Sequence, residues 1–354
     1  MEVENFDRIK GRGSQSNPQN KFLNNHIEYE PDDFLIEHEY LTHPRTQYLH
    51  ENAKNIINEI ESSDVGMMFS ANPYQGCEHG CVYCYARNSH EYYGFSAGID
   101  FETKIMAKIN APDLVEKKFN SKSWIPSTIS LSGNTDCYQP AEKNFKLTRK
   151  ILEVCLRYRN PVSIITKNAL ILRDIGLLSE LASMQLTFVM ISITTLDEDL
   201  RLKLEPRTVT AKQRLKIIDT LTKAGIPCGV MTAPIIPSLN NHEIPEIIKQ
   251  SAEYGALVAG YTVVRLNGAI GQIFTDWIHK SFPDRAEKVI NQIKECHGGQ
   301  LNDSRFGTRM RGEGKIAENI RMMHHMARKK YMKDKTVPSL RTDLFIKSGQ
   351  ISLF

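Results

Sequence analysis

The chain has 354 residues, a formal net charge of +4 and a hydrophobic fraction of 41%. This length and composition favour one barrel-sized domain with extensions over two equal domains. No apolar run approaches the ~18 residues of a membrane span, and residues 1–5 lack the basic and apolar start of a signal peptide. We therefore expect a cytoplasmic protein with no membrane part, whose seven cysteines stay reduced and favour metal binding over disulfides.

The first segment, residues 1–65, is predicted to be a polar extension. Up to about Phe22 it is rich in Asn, Gln, Ser and Gly. Such a composition is typical of disorder unless the segment closes over a site. We place the start of the folded core at residue 66.

Three cysteines, Cys77, Cys81 and Cys84, form a C-x3-C-x2-C loop. A closed structural metal site takes four protein ligands, whereas three thiolates on a cubane iron-sulfur cluster leave one iron open to a substrate or cofactor. The spacing therefore predicts a 4Fe-4S cluster that is used in catalysis. The alternative is a structural zinc site completed by His79 or His90, because histidine and cysteine both bind zinc at overlapping spacings.

This loop, with Tyr83 before its last cysteine, resembles the motif of the radical S-adenosylmethionine (SAM) enzymes. In that family, the amino and carboxylate groups of SAM chelate the open iron. The resemblance therefore implies SAM as a second cofactor and a flavodoxin- or ferredoxin-type protein as the reductant. It also implies that Tyr83 packs on the adenine of SAM.

Beyond the loop, short β-branched runs alternate with amphipathic stretches. With one strand just before the loop, strands are predicted at residues 66–70, 127–131, 162–166, 187–193, 229–233 and 261–266. Helices are predicted near residues 147–158, 169–182, 211–224 and 242–254. Six such units predict an α/β fold, a partial (βα)6 TIM-type barrel over residues 66–270. A doubly wound open sheet is the alternative, because periodicity does not decide closure.

Polar side chains follow the predicted strands at their carboxyl ends, where barrel enzymes carry their reactive groups. A lysine at a buried barrel mouth is costly unless an anion pairs with it, so we assign Lys167 to the carboxylate of SAM. Ser192 and Thr135 are expected to hydrogen-bond the carboxylate and the amino group of SAM. Arg207 is expected to contact the ribose or the carboxylate, with a plain surface ion pair as the alternative.

Motifs along nearly the whole chain resemble the spore photoproduct lyase-related branch of the family, and within it a DNA repair photolyase-like bacterial group. They are residues 11–18, 72–92, 136–140, 204–207 and 233–237. The resemblance implies a lyase-type DNA repair reaction in which SAM is cleaved to methionine and a 5′-deoxyadenosyl radical, which abstracts a hydrogen atom. In the lyase a cysteine returns a hydrogen atom, but the matching position here is Gly133. Cys137, which is offset from that position, and Tyr85 are the remaining candidates for a catalytic residue.

Two further helices are predicted near residues 284–296 and 315–331, within a helical and basic C-terminal extension of residues 271–345. Between them, Arg305, Arg309 and Arg311 alternate with an aromatic residue and glycines, as in loops that bind nucleic acid. There, arginines contact phosphates and the aromatic ring stacks on a base. A merely solvated basic loop is the alternative.

The last segment, residues 346–354, ends in a peptide similar to the ligand of the bacterial sliding clamp. Gln350, Leu353 and Phe354 occupy its glutamine, leucine and phenylalanine positions. A carboxyl-terminal tail can present such a peptide to a partner. The alternative is a tail whose apolar pair docks on the protein's own surface.

The sequence leaves three functions open. The first is a radical SAM enzyme that acts on nucleic acid, DNA above all. The second is a radical SAM enzyme that acts on a protein or a small molecule, and the third is a zinc-bearing, non-catalytic adaptor tethered to the clamp. The basic loop and the clamp-like tail favour the first function. Iron and sulfide analysis separates the third from the others.

Overall fold

The fold is built around one seven-stranded sheet. The computed structural model describes residues 9–23, 45–62, 64 and 66–347. Its strands, in chain order, are β1 (Gln47–Glu51), β2 (Ile57–Glu59), β3 (Phe69–Ala71), β4 (Tyr74–Gln75), β5 (Lys104–Lys108), β6 (Ile129–Leu131), β7 (Val162–Thr166), β8 (Thr187–Ser192), β9 (Cys228–Ile235) and β10 (Ala259–Val263). The large sheet has the order β10-β9-β8-β7-β6-β3-β2, and the order β1-β5-β4 forms a second, three-stranded sheet.

Helices connect most of these strands. The α-helices of the described residues are α1 (Ile99–Thr103), α2 (Ala111–Asn120), α3 (Glu142–Phe145), α4 (Leu147–Tyr158), α5 (Ile175–Ser183), α6 (Glu198–Leu204), α7 (Ala211–Lys223), α8 (Ile244–Glu253), α9 (Ala269–Ser281), α10 (Ala286–Cys296) and α11 (Gly314–Tyr331). Short 3-10 helices lie at Tyr85–Tyr93, Ala169–Asp174, Asn241–Glu243 and Pro283–Arg285. Helix α7 shows why the boundaries fall where they do, because Thr210 and Gln213 form a capping box at its start.

The large sheet confirms the partial barrel fold that the sequence predicts. Its strands β3 and β6 to β10 are all parallel and lie side by side in the order in which they occur in the chain. A doubly wound sheet reverses its strand order at a switch point, and no reversal occurs here. Four of these strands, β6 to β9, fall within two residues of their predicted bounds at both ends. Strand β3 begins three residues later than predicted, and β10 lies two to three residues earlier than predicted.

The core lies between the strands and the helices. Ile164 of β7, Val189 of β8 and Val230 of β9 are fully buried. They pack in one cluster with Ile218 of α7 and Ile248 of α8. Every residue of the parallel strands β3 and β6 to β10 is buried or half-buried, as is typical of a parallel sheet covered by helices.

A loop, and not backbone pairing, bridges the two edges of the large sheet. Residues 305–312, called here the bridging loop, connect β10 with the segment between β2 and β3. The amide of Val263 donates to the carbonyl of Met310 over 3.0 Å. At the other end, Arg309 forms an ion pair of 2.8 Å with Asp64. The barrel is therefore incomplete, and the bridging loop spans its gap with a backbone hydrogen bond at one end and an ion pair at the other.

The three-stranded sheet positions the cysteine loop. Strand β5 pairs in parallel with β1 and antiparallel with β4. Strand β4 ends two residues before Cys77, whose amide donates to the Phe101 carbonyl over 2.8 Å. The sequence predicted none of these strands, because their short segments, such as QYLHE in β1 and KIMAK in β5, lack the run of β-branched residues that marks a strand.

The two extensions differ in how far the sequence anticipated them. Residues 9–23 close over the back of the cysteine loop, and Arg12, Ser14 and Asn20 are buried. Helices α10 and α11 confirm the two helices predicted in the C-terminal extension, whereas α9 was not predicted. The domain boundaries at residues 66, 271 and 346 stay predictions. Over the described ranges, every helix is too short or too polar to cross a membrane.

Candidate active site

Three free thiols lie together after the first parallel strand. Cys77 and Cys81 are buried and Cys84 is half-buried. Burial raises the pKa of each thiol above its usual value, and the other two thiols raise the pKa of Cys77 further. Soft thiolates at this spacing suit iron-sulfur ligation. Among the described residues, no three His, Cys, Asp or Glu side chains are close enough together to hold a single metal ion.

A buried carboxylate holds the loop from behind. Glu102 is fully buried and forms an ion pair of 2.5 Å with the equally buried Arg87, whose Nε donates to the carbonyl of Cys81. Glu102 also accepts the backbone amides of Gly13 and Ser14, at 3.1 and 2.8 Å. Residues 9–23, called here the N-terminal strap, thus share one buried anion with the cysteine loop.

The strap and the loop touch so closely that a side chain does not fit between them. A Cβ atom on Gly13 would lie 1.7 Å from the carbonyl oxygen of Gly80. Gly80 itself has a φ of +67°, and a Cβ there would lie 2.8 Å from a Glu102 carboxylate oxygen. Glycine is therefore required at both positions for the loop to adopt this turn.

His79, inside the cysteine loop, is engaged by protein partners at both ring nitrogens. Its Nδ1 lies 3.4 Å from the carboxylate of Asp136, and its Nε2 lies 3.1 Å from the side-chain nitrogen of Asn168. Burial lowers the pKa of His79 and outweighs the opposite effect of Asp136, which favours a neutral ring. His90, the other histidine of the zinc alternative, lies apart between the rings of Phe95 and Phe101.

A second buried carboxylate, Glu205, ties the loop to the far side of the barrel. It accepts hydrogen bonds from the hydroxyls of Tyr83 and Thr194 and pairs with Arg214 at 2.5 Å. Burial opposes its ionisation, but Arg214 and Lys167 outweigh burial and lower the pKa of Glu205 to about 2. The Tyr83 hydroxyl is thereby fixed, and its ring packs beside Cys81.

Lys167 lies directly after β7, half-buried, with its ammonium group near Cys81 and Glu205. Burial would lower its pKa, but Glu205, Cys81 and Asp136 together raise it. It therefore stays protonated. In the part of the chain that the structure describes, no carboxylate lies within ion-pair distance of this ammonium group. A charged group in this position has capacity for an anionic ligand.

The other predicted SAM contacts surround the same strand ends. Ser192 is buried at the end of β8, where its carbonyl accepts a bond from Arg214. Thr135 is buried and donates to the Tyr74 carbonyl over 2.6 Å. Arg207 is more exposed, 3.9 Å from the carboxylate of Glu78 in the cysteine loop. The structure thus brings all three side chains to the carboxyl ends of the strands, and their roles stay predictions.

A group of neutral polar side chains, not anticipated from the sequence, lines the mouth beside the loop. The side chain of Asn134 donates to Gln75 and to Ser89 at 3.2 and 3.0 Å, and its amide donates to Asn72. Tyr85 is 49% exposed and donates to the Gly133 carbonyl over 2.5 Å. A substrate at this mouth meets amides and hydroxyls.

The two candidates for a catalytic residue have opposite surroundings. Tyr85 is exposed at the mouth, whereas Cys137 is fully buried in the core, where burial holds the pKa of its thiol well above the usual value. At Gly133, a Cβ atom would lie 2.8 Å from the Cβ of Ser70. The position that matches the hydrogen-donating cysteine of the lyase therefore has no room for a side chain.

The three arginines predicted to bind nucleic acid are held by the protein itself. Arg305 pairs with Asp303 and Glu313, and Arg309 pairs with Asp64. Arg311 donates to the carbonyl of Tyr261. The predicted partner peptide, Gln350, Leu353 and Phe354, lies outside the described residues.

Asp136 and Glu205 lie in motifs noted in the sequence, but the role of buried carboxylates in organising the site was not predicted. Glu102, Asp136 and Glu205 each bind groups that are far away along the chain, 31 residues away for Asp136 and Lys167 and 89 for Glu102 and Gly13. Their one visible signal was their place in motifs or beside predicted strands. Spacing rules compare residues that are close together in the sequence, and they therefore do not identify such distant partners.

Comparison with known proteins gives the family. A model described as the radical SAM superfamily matches residues 71–250. An uncharacterized protein of Mycobacterium tuberculosis (strain ATCC 25618 / H37Rv) is 33% identical over 249 residues, 69% of this chain and 72% of that protein. An uncharacterized protein of Methanocaldococcus jannaschii is 30% identical over 240 residues, 68% of this chain and 85% of that protein.

Solved structures of spore photoproduct lyase have a similar fold. A mutant of that enzyme matches with a TM-score of 0.59 at 15% identity, covering 80% of this chain and 79% of that chain. The lyase complexed with dinucleoside spore photoproduct matches with a TM-score of 0.58 at 14% identity, covering 80% and 79%. At such identity the likeness shows the fold alone. The family model spans half of the chain and includes all three cysteines of the loop, and so the chain belongs to the radical SAM superfamily.

Proposed function

We propose that this chain is an enzyme that uses a 4Fe-4S cluster, held by Cys77, Cys81 and Cys84, to cleave SAM and to abstract a hydrogen atom from nucleic acid. The observation that supports it best is the set of three adjacent free thiols beside a protonated lysine that has no acidic partner among the described residues. When bound, the cluster supplies the electron that cleaves SAM to methionine and a 5′-deoxyadenosyl radical.

The residues of the chain would bind and orient SAM at this place. The ammonium group of Lys167 is the proposed partner of the SAM carboxylate. Tyr83 offers its ring to the adenine, while the bond to Glu205 fixes the ring's orientation. Ser192, Thr135 and Arg207 are proposed as the remaining polar contacts. Lys167, Ser192 and Thr135 lie at the carboxyl end of a strand or in the loop that follows it, where barrel enzymes bind their ligands. Arg207 follows helix α6 and lies beside the cysteine loop.

The substrate proposed for this site is a base in DNA. The similar lyase is described in complex with a dinucleoside photoproduct, and the mouth here carries amide groups that can hydrogen-bond the edges of a base. A base in a duplex would have to be unstacked to reach this mouth, at a cost of a few kcal/mol that damage or single-strandedness reduces.

The return of a hydrogen atom would differ from the lyase's route. Gly133 has no side chain and no room for one, and Cys137 is sealed in the core. Tyr85 is exposed at the mouth, so we propose that its hydroxyl gives a hydrogen atom to the substrate radical. The tyrosyl radical that remains would take an electron from the reductant and a proton from solvent. A flavodoxin- or ferredoxin-type reductant, sliding-clamp binding by the tail and a cytoplasmic location are carried over from the sequence as proposals.

The test is anaerobic reconstitution with iron and sulfide, followed by SAM cleavage with and without ultraviolet-damaged DNA. We expect a 4Fe-4S absorbance that changes on SAM addition, and DNA-dependent release of 5′-deoxyadenosine and methionine. Alanine in place of Cys77, Cys81 or Cys84 should abolish the cluster, whereas Cys228→Ala, in a core strand, should keep it. Stoichiometric zinc without iron or sulfide in the purified protein would contradict the proposal.

A further inference from the structure

A basic groove runs along the outer edge of the large sheet, outside the cysteine site. Its volume is about 1050 Å³, and helix α11, strand β10 and the bridging loop line it. The helical wall has 18 residues and is therefore about 27 Å long. This length exceeds that of a small metabolite.

The groove is unusually rich in cations that the protein does not neutralise. Lys335 donates to the backbone carbonyls of Ala252 and Ala256. Within the described residues, five further cations of the groove have no acidic partner at ion-pair distance: Arg311, Lys315, Arg328, Lys329 and Lys333. Both acids of the groove are already paired, Glu313 with Arg305 and Glu318 with Arg321. The five unpaired cations exceed the net charge of the whole chain, which is +4. Positive charge is therefore concentrated along this one edge.

Two of the groove's side chains are fixed in place. The guanidinium of Arg311 lies 4.1 Å from the ring centroid of Tyr261 and donates to the Tyr261 carbonyl over 3.0 Å. On the same ring, His324 stacks with a centroid distance of 4.4 Å. These contacts form a rigid floor between the helix and the strand.

His324 supplies an independent sign of a ligand. Its side chain is 5% exposed, and its buried Nε2 has no hydrogen-bond partner. Leaving a buried polar atom unpaired costs about 1 to 3 kcal/mol, so such atoms call for a partner from outside the protein. Burial lowers the pKa of His324 to about 4, and the charges of Arg328 and Arg311 add to this effect.

One end of the groove lies on the side of the sheet that carries the barrel mouth. Helix α11 begins beside the carboxyl end of β10, where Met310 accepts the amide of Val263. It ends beside the amino end of β10, where Lys335 donates to the Ala256 carbonyl over 2.9 Å. The groove therefore runs along the whole strand, and its upper end lies at the strand end that faces the cysteine site.

We propose that this groove binds the phosphodiester backbone of single-stranded DNA and leads the strand to the barrel mouth. The inference rests on the proposed function, because it names where the substrate of that reaction is held. A row of unpaired cations about 27 Å long suits a polymer of regularly spaced anions. A single strand suits the mouth as well, since its bases are free to enter. Arg311 is then the one arginine that the groove shares with the contacts predicted from the sequence.

The test compares two variants of the full-length protein that lose the same number of charges. The groove variant carries Lys315→Gln, Arg328→Gln, Lys329→Gln and Lys333→Gln. The control carries Lys117→Gln, Lys150→Gln, Lys212→Gln and Lys216→Gln, exposed on the helices α2, α4 and α7. Fluorescence anisotropy with a labelled single-stranded oligodeoxynucleotide gives the dissociation constant between 50 and 200 mM KCl.

Each phosphate contact to a single strand contributes about 0.7 to the slope of log affinity against log salt. Loss of four contacts should therefore lower the slope of the groove variant by about 2.8. Between 50 and 200 mM KCl, the wild-type protein should then lose about 50-fold more affinity than the groove variant loses. The control should keep the wild-type slope. As a second measurement, His324→Phe retains a ring against Tyr261 but removes the unpaired nitrogen, and it should weaken binding several-fold.

The outcomes separate the groove from the proposed function. If the groove variant and the control have equal slopes, the proposal that the groove binds DNA is wrong, even if the wild-type protein modifies DNA in a SAM-dependent reaction. If the groove variant loses the expected slope but DNA stays unmodified when SAM is cleaved, the groove binds DNA and the proposal that DNA is the substrate is wrong. Tighter binding of an oligoribonucleotide than of DNA, or of polyglutamate than of either nucleic acid, would contradict single-stranded DNA as the occupant.

Discussion

Replacing Lys167 by methionine removes the one charge that we assign to the SAM carboxylate. The methionine side chain fills similar space, so the surrounding packing changes little. Glu205, which loses a cationic neighbour, keeps its 2.5 Å pair with Arg214 and stays ionised. The substitution therefore removes a cation that has no ion-pair partner among the described residues, and it breaks no existing ion pair.

The expected loss follows from that geometry. A charge-assisted hydrogen bond in a half-buried place contributes about 1.5 to 3 kcal/mol. Since 1.4 kcal/mol corresponds to a factor of ten, the dissociation constant of SAM should rise about 10- to 150-fold. Ser192→Ala should have a smaller effect, because a neutral hydrogen bond contributes about 0.5 to 1.5 kcal/mol.

Isothermal titration of the anaerobically reconstituted protein with SAM measures this change. Lys150→Met, exposed on α4, is the matched control and should bind SAM like the wild type. Iron and sulfide contents and the visible spectrum should be the same in all proteins, because Lys167 is not a cluster ligand. An unchanged SAM affinity in Lys167→Met, with the cluster intact, would show that the carboxylate pocket lies elsewhere.

The buried carboxylates and the strap give three more tests. Glu205→Gln leaves a guanidinium buried without its anion, which costs about 3 to 5 kcal/mol, so the midpoint of urea unfolding should fall. Gly13→Ala places a Cβ atom 1.7 Å from a backbone oxygen of the cysteine loop, so the strap must move and iron and sulfide retention should drop. The hydrogen bond from Arg309 holds the pKa of Asp64 below its usual value. The ion pair is therefore fully formed at any pH above the usual pKa of an aspartate, and it is lost as the pH falls through the lowered pKa of Asp64. At neutral pH, Asp64→Asn should speed deuterium exchange of the bridging-loop amides.

Each of these tests has a control on the same chain. Glu246→Gln breaks an exposed helical pair on α8 and should cost under about 1 kcal/mol. An equal effect of Glu205→Gln would contradict the structural role of Glu205. Gly176→Ala meets no atom within 4 Å and should retain the cluster, and retention by Gly13→Ala as well would mean that the strap does not support the loop. Asp219→Asn, which breaks an exposed pair on α7, should leave exchange of the bridging loop unchanged. Acceleration by both variants would refute the bridge.

A feature could be predicted from the sequence where its signal is local, and not where it depends on residues far apart in the chain. Strand β7 was predicted with its exact bounds, because a short run of β-branched residues between turns has a local signature. The three cysteines were found by their spacing, which is local as well. The α9 helix has 13 residues and was missed, although Ile270, Ile273, Phe274 and Trp277 recur at helical spacing and so provide a local signal in the sequence.

Features made by distant partners had no such signature. Glu102 is buried only because Arg87 and the amides of Gly13 and Ser14 compensate its charge. In the sequence, it is one acidic residue among many. The ion pairs of Arg305 and Arg309 could not be predicted for the same reason. The sequence therefore indicated more unpaired charge in this basic loop than the structure has.

The N-terminal strap also decides how small a working piece of this protein can be. The family model matches residues 71–250, and a fragment cut at those ends would lack both the strap and β10. Without Gly13 and Ser14, the carboxylate of Glu102 would lose two of its donors while the back of the cysteine loop became open to water. Deletion of β10 would expose the edge of β9. The minimal folding unit that can hold this site therefore extends from the strap to beyond β10, and it is considerably longer than the region by which the family is identified.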